Sequence, residues 1–97
     1  MIYWHFSEWL LVADKKECGG TEVEHRVRTL ADCAVKCERT SSMFAFGTND
    51  HGLHKCNNDG CLCLCETEAN NDGSCSQEDH NGYRLYKYVT QGDDLLY

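Results

Sequence analysis

The chain has 97 residues, with 16 Asp plus Glu against 9 Lys plus Arg and a net charge of −7. That length makes one domain around one core, and the negative balance argues against nucleic acid or anionic lipid as the main partner, since both would repel it. Eight cysteines in so short a chain point to a disulfide framework formed in an oxidising compartment, so secretion is expected.

No apolar run is long enough to span a membrane, and membrane insertion is not expected. Met1 to Val12 does not read as a signal peptide, because His5, Ser7 and Glu8 interrupt it and no basic stretch precedes it. Its aromatic and branched residues favour a first core strand instead. The sharper reading of the same segment is an arm, carried by Tyr3, Trp4, Phe6 and Trp9, that adds a strand to a neighbouring copy. Cys18-Gly19-Gly20 is expected to turn the chain, and Thr21 to Arg28 alternates as a short strand with a charged outer face.

Residues 29–39, TLADCAVKCER, are the helix signal. Leu30, Cys33, Ala34 and Cys37 fall on one apolar stripe, Thr29 is a good N-cap, and Asp32 places negative charge in the first turn. Cys33 and Cys37 leave the helix on the same side, so a bond between them would be awkward. An obvious supply of partners is Cys61, Cys63 and Cys65 in CLCLC, whose alternation puts three sulfurs on one side of a strand. With Cys18, Cys56 and Cys75 these complete the expected disulfide framework, for which 105 connectivities are open.

Met43-Phe44-Ala45-Phe46-Gly47 reads as a buried strand and Thr48 to His54 as a loop. Asn57-Asn58-Asp59-Gly60 and Asn70-Asn71-Asp72-Gly73 are turn signals flanking the CLCLC strand. Asn81-Gly82 predicts a third tight turn before a closing strand over Tyr83 to Val89, and residues 90–97 form a tail. The fold class is α+β, a small disulfide-rich domain with an antiparallel sheet crossed by one helix.

The extended segment ending at Cys18, the helix LADCAVKC, the FAFG strand, the cysteine-bearing strand and the terminal GYRLYKY strand together resemble the PAN/apple superfamily of extracellular modules. The resemblance runs from about Trp9 to Val89. It implies a curved antiparallel sheet crossed by one helix, with disulfides tying Cys33 and Cys37 to the sheet. It also implies binding of proteins or carbohydrates without a catalytic site. The chain departs from the usual pattern at Ser42-Met43, where a cysteine is common, and carries an extra thiol in CLCLC.

A Cys/His nucleophile would need a free thiolate, which an even cysteine set in an oxidising setting disfavours, so no enzyme is expected. His51, His54, Asp50 and Cys56 have zinc-ligand chemistry, but histidines in a surface loop are more often solvated. Asn49, Asp50, Asn57, Asn58, Asp59, Asn70, Asn71 and Asp72 offer hard oxygens for a structural calcium, though Asn-Asp-Gly is also ordinary turn chemistry. No cofactor is expected. Tyr83, Tyr86 and Tyr88 are the candidate recognition surface for a sugar or a protein, with core and edge packing as the plainer reading.

The leading expectation is a secreted, non-catalytic recognition module, with Thr48 to Asn58 and Glu66 to Asn81 as specificity loops. The alternatives are a structural protein whose copies assemble through the N-terminal arm and a small secreted toxin or pheromone-like effector.

Overall fold

The computed structural model describes residues 8–49 and 55–89. Its order is β1 (Glu8–Cys18), β2 (Val23–Val27), α1 (Leu30–Cys37), β3 (Met43–Gly47), β4 (Cys56–Asn57), β5 (Gly60–Cys65) and β6 (Gln77–Val89). The strands form one antiparallel sheet in the order β1-β6-β3-β5-β2, with β4 paired to β5.

The alternation of β3, β5 and β6 sorts their side chains onto two faces. One face presents Phe44, Cys63, Cys65, Tyr86 and Tyr88 toward α1, where they pack with Cys33, Ala34 and Cys37. Phe44 is fully buried at its centre, with the rings of Tyr86 and Tyr88 5.3 and 5.1 Å away and Trp9 edge-on at 6.4 Å. The other face presents Met43, Ala45, Leu64, Tyr83 and Leu85.

α1 is an eight-residue helix, and Thr29 caps it as expected, its hydroxyl accepting from Asp32 N at 3.0 Å. The helix stops at Cys37, two residues short of the expected end, with Glu38 as its C-cap and a turn closed by Thr40 N and Ser41 N on Cys37 O. So short a helix is marginal alone, and its stability comes from what it is bonded to. Cys33 pairs with Cys63 and Cys37 with Cys65, which joins both turns of the helix to β5. Cys18 pairs with Cys75, and Cys56 with Cys61 across the Asn57–Gly60 hairpin turn, so all eight cysteines are bonded.

The extended segment ends at Cys18 as expected, with β1 continuing past the apolar residues that stop at Val12. One expectation is corrected: Asn81-Gly82 lies inside β6 rather than at a turn. Charges in Asp14 to Glu17 do not end β1, because it is an edge strand whose polar side chains meet partners across the ribbon: Lys16 pairs with Asp79, and Arg84 Nε donates to Asp14 at 3.2 Å. Gly82 serves close approach, since a Cβ there would come within 2.9 Å of the Lys55 side chain.

The β1–β6 ribbon does not run straight. Between the pairs Asp14↔Arg84 and Lys16↔Asp79 it has a large bulge, with Lys15 in the left-handed region at φ 63°. Cys18 pairs with Gln77, ten residues before the Lys87 that pairs with Met43, yet Cys18 Sγ lies 3.7 Å from Met43 Sδ. An unbent strand of that length would hold them roughly 33 Å apart. The end of the ribbon therefore folds back over the face opposite the helix.

Candidate functional site

The fold-back places one segment, residues 66–76, in a commanding position. It leaves β5 at Glu66, whose N–H donates to Met43 O at 3.1 Å, and it is tied to β1 by Cys18–Cys75. Inside it Asn70 N donates to Ser74 O at 2.8 Å and Gly73 N to Asn70 O at 3.0 Å, the turn expected from Asn70-Asn71-Asp72-Gly73. Gly73 takes φ +80°, where a Cβ would be strained. From outside, Ser42 Oγ donates to Asn70 O, Thr21 N donates to Glu68 Oε2 at 3.1 Å, and Thr67 Oγ1 donates to Thr21 O at 3.4 Å. A loop fixed at so many points keeps its shape before any ligand arrives, which lowers the ordering cost of binding.

A polar groove lies on each side of this loop. One, of about 460 Å³, is bordered by Glu68 and Glu78 over Gly19, Gly20 and Cys75. The other, of about 310 Å³, lies at the end of α1 and is lined by the Glu38 and Arg39 charges together with Thr40, Ser41, Ser42, Thr67 and Asn71. The first is acidic; the second is rich in hydroxyl and amide groups of the kind that hydrogen-bond sugars or peptide backbone.

Beneath the loop lies a buried acidic group. Glu66 is 1% exposed and one of its oxygens accepts from Cys18 N at 3.1 Å. Burial, then the carboxyl of Glu22 beside it, pushes its proton affinity up to about 9. Burial, then Glu22, likewise pushes Glu17 up to about 7. Tyr83 beside them is pushed up to about 12, by burial first and by the surrounding carboxylates second.

The expected site residues are distributed as follows. Tyr83 is buried, and Tyr86 and Tyr88 spend their rings on Phe44; the Tyr88 hydroxyl also donates to Ala34 O. The three therefore do not share one exposed face. Trp9 packs edge-on to Phe44, while Tyr3, Trp4 and Phe6, like Asp50, His51, His54 and the tail, lie outside the described residues. Cys56 is bonded to Cys61 and has no thiolate to offer zinc. Of the oxygens weighed for calcium, Asn49 Oδ1 accepts from Cys56 N, Asn57 Oδ1 from Asp59 N, and Asp72 Oδ1 from the Ser74 hydroxyl.

The acidic group was not foreseen from sequence. A signal for it exists: Leu62, Leu64 and Glu66 share strand parity, so Glu66 continues an apolar face that has to be covered. Among known proteins, no family model, no curated protein and no solved structure matches the chain.

Proposed function

We propose that the chain is a secreted, non-catalytic module of PAN/apple type that recognises a protein or a carbohydrate through the 66–76 loop and the grooves beside it. The observation carrying this reading is that loop, pinned at both ends and flanked by two polar grooves on a disulfide-braced frame. Four disulfides are typical of extracellular proteins and favour secretion. A frame whose cysteines are all bonded offers no thiolate nucleophile, which supports a binding role over a Cys/His hydrolase.

The test is a glycan array alongside a panel of extracellular-matrix proteins, probed with the oxidised chain and with Thr67→Ala/Asn71→Ala. Saturable binding that falls at least tenfold in the variant supports the reading. Equal binding by both chains, or none by a correctly folded one, contradicts it.

A second reading, assembly of copies, is favoured by β1. Among the described residues it ends the sheet with no strand on its outer side, and its Leu10 and Leu11 are 53% and 55% exposed. Deleting residues 1–6 or placing Asp at Leu10 would dissolve such assemblies, as read by light scattering.

A further inference from the structure

Glu17, Glu22 and Glu66 reach one point from three parts of the chain: the folded-back end of β1, the segment before β2 and the residue after β5. One oxygen from each lies within 4.8 Å of the others. Glu66 is 1% exposed, its Oε1 is buried without a hydrogen-bond donor, and Glu22 Oε2 is in the same condition. Buried carboxyl oxygens without partners are costly and rare in folded proteins. Lys55 offsets part of the charge on Glu17, but its ammonium sits over the Tyr83 ring, 5.4 Å from the centroid.

We propose that these three carboxylates bind a divalent hard cation of the calcium class. Calcium holds its oxygens at about 2.3–2.6 Å, so two ligands of one ion lie at most about 5 Å apart. The observed separations fit that limit. The donor set is all oxygen, without the imidazole or free thiolate that would select zinc or copper. A single shared proton would bridge one pair, such as Glu22 and Glu66, and leave the third carboxylate beside it. A divalent ion offsets two of the three charges and supplies a partner to both orphaned oxygens. It also pins the returning ribbon under the 66–76 loop, so its binding would stiffen that loop. The turn oxygens of Asn57 and Asp72 play no part in this site.

The experiment uses the full oxidised chain stripped with EDTA at pH 7.5. Calcium is titrated by calorimetry, and terbium by emission sensitised through Tyr83, whose phenol feels the charges of all three carboxylates. A single site is expected, with Tm rising by several degrees in calcium. Glu22→Gln and, independently, Glu17→Gln should weaken affinity at least tenfold, while Asp59→Asn in the exposed hairpin turn before β5 leaves it unchanged. No heat and no Tm shift at millimolar calcium overturns the proposal. So does an equal calcium response in Glu22→Gln.

Discussion

At the scale of single residues, Phe44 and Glu66 mark the two faces of the sheet. Phe44 fills the space between α1 and β6, so Phe44→Ala should cost about 3–5 kcal/mol, measured by denaturant unfolding. Glu66 and Glu17 bind protons more tightly when folded than when unfolded, from a usual value of 4.5 up to about 9 and about 7. The folded state therefore holds extra protons between about pH 4.5 and 9, and stability is greatest at the acid end and falls as pH rises through that window. Without divalent cations denaturant unfolding should show stability falling from pH 5 to pH 8, and Glu66→Gln should flatten the profile. A stability that climbs from pH 5 to pH 8 would contradict the placement of these carboxyls. Glu66 was hidden in the sequence because an acidic residue just past a strand reads as solvated loop. The folded-back ribbon, bent at the bulge beside Lys15, brings Cys18 N onto it.

At the scale of elements, the bridges differ in what they close. Cys33–Cys63 and Cys37–Cys65 span 30 and 28 residues, whereas Cys56–Cys61 spans 5. On loop-closure entropy, removing Cys33–Cys63 by paired serines should cost about 3–4 kcal/mol, and removing Cys56–Cys61 nearer ~2, read from thermal unfolding. The helix and its partner strand were legible because periods of 3.6 and 2 put sulfurs on matching faces at Cys33, Cys37, Cys63 and Cys65. The β1–β6 ribbon was not. Asp14 to Glu17 are polar because β1 is an edge, and Gly82 sits where Lys55 crowds the backbone, so both broke the local patterns for strand and turn. Those signals depend on neighbours far along the chain, which no local window contains.

At the scale of the whole molecule, a short chain with little core is held by four cross-links, carries a net charge of −7, and exposes Leu10 and Leu11 on its edge strand. Leu10→Asp should leave stability within about 0.5 kcal/mol, because the side chain is exposed, while lowering any self-association seen by light scattering. Recognition by the 66–76 loop and a cation beneath it both require the ribbon to be locked down and the helix to be anchored. The most direct test is disulfide mapping by mass spectrometry of unreduced protein, cleaved at Leu62 and Leu64 to separate the three cysteines of β5. The account predicts the peptide pairs Cys33–Cys63, Cys37–Cys65, Cys18–Cys75 and Cys56–Cys61. Free thiols at Cys33 or Cys37, or either one bonded outside β5, would contradict it.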